Sequence, residues 1–327
     1  MELSVWLTRP ASKRAVRWSS VPRKPFEWKL RTRSLILGER TLIMGVLNVT
    51  PDSFSDGGKY ADPDRAYARA LQLEDEGADI IDVGAESTRP GSQRIPEGEE
   101  LRRLIPVLKK LRGALRVPVS VDTYKSAVAA KALEYDAEII NDPSGLTFDV
   151  QLARTVMNSN AGLVINHMRG TPETWAKLPS MKNAMATIMQ DLDASIHRAR
   201  RSGMEIERIV VDPGIGFGKR KEQNSEILAQ LGALAQLGRP VLVGPSRKHF
   251  LAQDDDRATE FATAAAVTAA ILGGAHIVRV HDVAAMTVVA QVADSILAAE
   301  QQPEPEEREQ ARRRPPMRPG RSADQGR

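Results

Sequence analysis

The chain of 327 residues contains no cysteine. Disulfides, thiolate metal sites, iron–sulfur clusters and cysteine nucleophiles are thereby excluded, and a reducing compartment is the setting that fits. Aromatics make up only 4% of residues, so the core must be filled by Ala, Val, Leu and Ile, which the 42% hydrophobic content allows. Apolar runs fall short of the ~18–20 residues of a membrane span, and no signal-peptide core follows the start. No His-x-x-x-His pair or dense His/carboxylate cluster points to zinc. The stretch "PGIGFGKR" fails as a phosphate loop, with Pro213 where Gly is needed and Arg220 where Ser or Thr is needed, and its glycine spacing misses the dinucleotide fingerprint.

Basic charge between the two ends of the chain is also scarce. The formal net charge is +4, but residues 1–40 carry +7 and residues 302–327 carry +2, leaving −5 for residues 41–301. A nucleic-acid reading needs a basic stripe on the body, so no nucleic-acid partner is expected. Residues 1–26 are expected to be a basic, poorly ordered extension; a targeting leader has a similar composition. Residues 301–327, with Pro303, Pro305, Pro315, Pro316 and Pro319 among charge clusters, are expected to be a disordered tail.

Between these ends, residues 27–300 read as one domain. Eight apolar, β-branched runs (Thr41–Asn48, Asp79–Gly84, Val117–Asp122, Glu138–Asp142, Gly162–His167, Arg208–Pro213, Pro240–Pro245 and His276–His281) alternate with stretches of helical length such as Asp62–Glu76 and Lys182–Arg201. Continuous apolar strands separated by helices are the pattern of a parallel sheet buried on both faces. Eight such units close a (β/α)8 TIM barrel of about 250 residues. An open doubly wound sheet would place a Gly-rich phosphate turn after an early strand, and none is there.

Nearly every run ends in a polar group. Asn48, Asp82 with Glu86, Asp122, Asn141 with Asp142, His167, Asp212, Ser246-Arg247-Lys248, and Arg279 with His281 all stand at strand ends. Any one of them could be a helix N-cap. In a barrel all of them open onto the face that carries active sites. The cations Arg89, Lys248 and Arg279, with His281, suit a phosphate or diphosphate. The buried carboxylates Asp122 and Asp212 need partners, which the N–C–N donor edge of a heterocycle supplies, and Asn141 adds a donor and an acceptor for the same ring. Structural pairing of each Asp with a nearby cation is the plainer alternative.

Several long motifs resemble the dihydropteroate synthase family. They are "TLIMGVLNVTPDSFSDGGKY" (41–60), "DIIDVGAESTRPGS" (79–92), "VSVDTYKSAVAAKAL" (119–133), "IINDPSG" (139–145), "INHMRGTPETW" (165–175), "VVDPGIGFGK" (210–219), "GPSRKHFL" (244–251) and "IVRVHDV" (277–283), in the family's order across roughly residues 27–298. The resemblance implies a TIM barrel that joins p-aminobenzoate to 6-hydroxymethyl-7,8-dihydropterin diphosphate, with Mg2+, giving 7,8-dihydropteroate and pyrophosphate. It assigns Asp122, Asn141, Asp212 and Lys248 to the pterin, and Asn48 to Mg2+ and diphosphate. Arg279 and His281, with Arg89, match the anion site. Thr88, Arg89, Pro90, Phe217, Ser246 and Lys248 match positions around p-aminobenzoate, and the stretches 48–60 and 87–93 match two mobile loops. It also implies a cytoplasmic homodimer without membrane partners. A pterin-binding methyltransferase domain and a non-catalytic pterin-binding paralogue are the rival readings. The chain departs from the common pattern at Asn166, where Met is frequent, at Pro143, where Val or Ile is frequent, and at Gln223, where His is usual.

Overall fold

The structure is a computed structural model that describes residues 21–50 and 62–300. The first loop stretch at 51–61, the extension at 1–20 and the tail at 301–327 lie outside the described residues. Two short strands, Phe26–Lys29 (β1) and Ser34–Leu37 (β2), form an antiparallel hairpin. Eight strands follow: Leu42–Asn48 (β3), Ile80–Gly84 (β4), Val119–Asp122 (β5), Ile139–Asp142 (β6), Gly162–Asn166 (β7), Ile209–Asp212 (β8), Leu242–Val243 (β9) and Ile277–Val280 (β10). The helices between and after them are Pro63–Asp75 (α1), Glu97–Leu111 (α2), Ser126–Glu134 (α3), Leu152–Asn158 (α4), Ala184–Arg201 (α5), Lys221–Ala229 (α6), Asp256–Leu272 (α7) and Val283–Glu300 (α8).

All eight expected strands are present and parallel, in the order β8-β7-β6-β5-β4-β3-β10-β9. A parallel bridge between Val211 and Val241 joins the two ends of that row, and Val211 N–H donates to Pro240 O at 3.0 Å. The sheet is thus a barrel, as the count of βα units requires. β9 is only two residues long because Pro240 and Pro245 bracket it, and proline cannot donate to a ladder.

Side chains alternate along each strand, so residues two apart share a face. The faces turned outward, among them Ile81, Val121, Ile140, Leu163 and Val211, pack under the helix ring. The inward faces of Met44, Ile80, Ile139, Val164, Val210 and Ile277 cluster with Trp28, Leu30 and Leu37 of the hairpin. The hairpin therefore closes the end of the barrel where its strands begin. Trp28 Nε1 donates to Arg208 O at 2.9 Å, satisfying the indole N–H that this plug buries. Gly162 makes the fit possible, since a Cβ there would stand 2.6 Å from Leu30 Cδ2.

Residues 21–26 differ from the poorly ordered extension expected of them. Arg23 pairs with Asp294 at 2.6 Å and donates to Thr41 Oγ1 at 2.7 Å, while Val21 N–H reaches Leu272 O at 3.1 Å. A buried arginine with two fixed partners outweighs the local Arg/Lys-rich composition. α8 also corrects the reading of apolar runs. Its 18 residues reach a mean hydropathy of 1.4, within the range of a membrane span by length and composition. Its buried face of Val283, Met286, Ala290, Ala293 and Leu297 belongs to the core, which makes it an outer-ring helix of the barrel.

Candidate active site

Two residues beyond the apolar inner layer, the inward face becomes polar. Ile80 is followed by Asp82, Ile139 by Asn141, Val164 by Asn166, Val210 by Asp212 and Ile277 by Arg279; Ser120 is followed by Asp122. The strand period alone therefore brings three carboxylates, two amides and a guanidinium together above a sealed apolar floor. Asp82 is fully buried, and Asn141 and Asp212 are each 7% exposed.

Arg279 organises this layer. Its Nε donates to Asp82 Oδ2 at 2.6 Å and its Nη2 to Asp122 Oδ2 at 3.0 Å, while Asn141 Nδ2 donates to Asp82 Oδ2 at 3.1 Å. The structural pairing considered for single aspartates holds for Asp122, and Asp82 joins it as a partner that received no role from the sequence. Burial pushes the Asp122 carboxyl up to about 7, against the pull of Arg279. Burial also pushes Asp212 up to about 6, opposed by the Gly214 N–H, which donates to its Oδ1 at 2.7 Å. The bare Cα of Gly214 is required: a Cβ would sit 1.9 Å from the His167 carbonyl oxygen.

Above these groups opens a cavity of about 820 Å3. Of the expected site residues, Asn48, Thr88, Arg89, Pro90, Asp122, Ser246, Lys248, Arg279 and His281 line it. Asn141 and Asp212 lie below, in the polar layer, and Phe217 supports Lys248, whose ammonium stands 4.1 Å from the ring centroid. Burial lowers the Lys248 pKa to about 8, with Arg279 adding to the shift and Asp212 and Asp122 opposing it. Further cations on the wall are Arg69, Arg220, Lys221 and Arg247, with the buried Lys219, whose pKa burial pushes well below the ordinary lysine value, beside them. The mouth of a net-acidic body is cationic, which is the local field that gathers an anionic ligand.

His281 is held neutral. Burial, with the nearby Arg279, Arg247, Lys248 and Arg89, lowers its pKa to about 3. Ser246 Oγ accepts from the His281 backbone N–H at 3.2 Å and lies 2.9 Å from Nδ1.

Two strand-end residues turn away from this assembly. His167 faces α5, its Nε2 3.0 Å from Asp191 Oδ2. Asp142 folds back on its own loop, accepting from Ser144 N–H at 2.8 Å and Ser144 Oγ at 2.7 Å. Both follow an inward residue directly, so the pleat sends them outward.

The second loop is stapled by residues to which the resemblance assigns no role. Glu86 accepts from Ile95 N–H at 3.1 Å and Tyr124 OH at 2.9 Å, and pairs with Lys125 at 2.6 Å. Lys125 also bonds Ile95 O at 2.9 Å and pairs with the buried Glu100. Further along, Gly91 N–H donates to Pro172 O at 3.0 Å and Arg94 N–H to Glu173 Oε1 at 3.2 Å. Thr88, Arg89 and Pro90 are thereby held over the mouth.

The chain matches the family model for pterin binding enzymes over residues 44–281. It is 43% identical to the dihydropteroate synthase of Synechocystis over 263 residues, which cover 79% of this chain and 91% of that protein. The crystal structure of a Clostridium difficile dihydropteroate synthase in the presence of pteroic acid superposes with a TM-score of 0.75 at 42% identity, covering 80% of this chain and 98% of the other. A Xanthomonas albilineans dihydropteroate synthase in complex with 7,8-dihydropteroate gives 0.71 at 32% identity, covering 84% and 99%. A family match across the whole barrel, joined to a cationic mouth above buried carboxylates, identifies this chain as a member of the dihydropteroate synthase family of pterin-binding enzymes.

Proposed function

We propose that this transferase condenses p-aminobenzoate with (7,8-dihydropterin-6-yl)methyl diphosphate, releasing 7,8-dihydropteroate and pyrophosphate. The observation that carries the reading is the layering of the barrel interior, with buried carboxylates and an amide beneath a ring of cations. Asp212, Asn141 and Lys248 hold the pterin, and Asp122 completes the pocket. Arg279, Arg89 and His281 receive the diphosphate. Thr88, Pro90, Phe217 and Ser246 border the p-aminobenzoate.

The reaction is dissociative (SN1-like) in this reading. The C–O bond to the diphosphate breaks and its electron pair leaves with pyrophosphate. The resulting CH2 cation is delocalised into the electron-rich ring until the neutral arylamine nitrogen attacks it and gives up a proton. Asp122 and Asp212 stabilise the developing positive charge, and Arg279 and His281 the developing negative charge. Electrostatic preorganisation and positioning supply most of the acceleration.

The donor set also bears on Mg2+. Among the described residues there is no group of three or more His, Asp or Glu that could hold a metal. Mg2+ keeps several waters and binds through one or two protein oxygens plus substrate phosphates, so a single amide oxygen suffices. Asn48 fits: it ends β3 on the cavity wall, and its Oδ1 lies 3.6 Å from where a Cβ on Gly84 would stand, so the glycine leaves that side of the amide open. The ion supplies charge neutralisation on the diphosphate; Asn48 holds its place.

Incubating the purified chain with both substrates and Mg2+ is expected to yield a product with the mass of 7,8-dihydropteroate. No product under saturating conditions contradicts the reading.

The same proposal includes a cytoplasmic homodimer. Val288, Val292 and Ile296 form an exposed stripe on α8, and Phe261 of the adjoining α7 is 63% exposed. A dimer that covers this stripe is expected to become monomeric in the Val288→Glu/Val292→Glu variant. Light scattering coupled to size exclusion reads the mass; unchanged mass in a folded variant refutes that interface.

A further inference from the structure

Asn166 ends β7 on the inward face, two residues beyond Val164 of the apolar layer and in register with Asp212 of β8. Its Nδ2 donates to Pro143 O at 3.0 Å, so two of the departures from the family's common sequence are joined by one hydrogen bond. Its Oδ1 is buried with no partner in a residue only 3% exposed. An unpaired buried acceptor is costly and rare in native structures, and a donor brought by a ligand would satisfy it.

The surroundings narrow the choice of donor. Oδ1 lies 2.9 Å from where a Cβ on Gly214 would stand, and Gly214 is the residue whose N–H fixes Asp212. Lys219 Nζ is 2.8 Å from the same point and donates to His167 O at 2.7 Å. On the proposed placement of the heterocycle, the Asp212 carboxylate takes two N–H groups of the ring's N–C–N edge. The exocyclic amine of that edge carries a second N–H, which the carboxylate leaves unused. Methionine, frequent at this position in the family, has no oxygen to accept it.

We propose that Asn166 is a specificity-determining residue, its Oδ1 accepting the remaining N–H of the ring's exocyclic amine and so favouring an amino-substituted pterin over its oxo-substituted counterpart. Against an oxo group the carbonyl of Asn166 would face another acceptor, which is repulsive. The inference rests on the pterin reading and adds a second reader of the same edge.

Calorimetric titration with 6-hydroxymethylpterin and with its 2-oxo analogue tests it, using wild type, Asn166→Met and Asp212→Asn. Wild type is expected to prefer the amino ring, and Asn166→Met to reduce that preference about tenfold, equivalent to about 1.4 kcal/mol. The reduction should come through weaker amino-ring binding, with KM for p-aminobenzoate unchanged. Loss of the Pro143 bond alone would lower the melting temperature and weaken both rings alike. An unchanged preference in Asn166→Met, with the preference abolished in Asp212→Asn, overturns the inference while the pterin reading stands. Failure of wild type to bind either ring overturns both.

Discussion

Replacing Arg279 by methionine is expected to lower kcat/KM by about a thousandfold and to destabilise the fold by about 3 kcal/mol. Among the described residues, Arg279 alone bonds both Asp82 and Asp122, at 2.6 and 3.0 Å, and its side chain is 17% exposed. Without it, the two carboxylates lose the cation bonded to both, only the more distant Lys248 still offsets the charge of Asp122, and Asp122, already pushed up to about 7 by burial, takes a proton at neutral pH. Its ability to stabilise a cation would go with its charge. The double variant Arg279→Met/Asp82→Asn separates the two effects. Removing the unpaired charge is expected to recover much of the stability and none of the turnover. Steady-state kinetics with thermal melting of both variants reads the outcome; a stable, active single variant refutes the role.

The Asp212→Asn exchange is expected to move activity and stability in opposite directions. Activity should fall by at least about a hundredfold, because the amide cannot match a carboxylate against an N–C–N donor edge. Stability should rise, and the sign follows from the shift. Burial raises Asp212 from the ordinary 3.8 to about 6, so the folded chain binds this proton more tightly than the unfolded chain. Its contribution to stability is fully present below about pH 4, falls as pH rises towards 6, and stays lost above that. At pH 8 the variant is expected to melt about 4 °C higher than wild type, and at pH 4 to show little gain. A variant less stable than wild type at pH 8 contradicts the account. In the wild type, kcat/KM should fall on the acid side of about pH 7, as first Asp122 and then Asp212 takes a proton.

The barrel and the direction of its mouth were legible because the chemistry is written at short range. Each apolar run of β-branched residues stops at a polar residue, and eight such stops on parallel strands face one way. Legibility failed where contacts span long separations. Arg279 and Asp82 are 197 residues apart, so the pairing that turns an expected anion-binding arginine into the centre of the polar layer has no local trace. The hairpin of β1 and β2 was missed for another reason. Its strands are four residues each, and Lys29, Arg31 and Arg33 interrupt their apolar pattern. The structure adds what the sequence hides, which is that Trp28 plugs the barrel. His167 shows the reverse error: it stands at the end of a run like the others, but one position along the pleat sends it outward to Asp191.

Pyrophosphate release is the quantity closest to the central claim, that the cationic mouth and the buried carboxylates together drive departure of a diphosphate. Measured continuously with the dihydropterin diphosphate, Mg2+ and p-aminobenzoate, release is expected to match 7,8-dihydropteroate formation one for one. It should slow without p-aminobenzoate and fall at least about a hundredfold in Lys248→Ala. No release with both substrates present, or full release from Lys248→Ala, would contradict it.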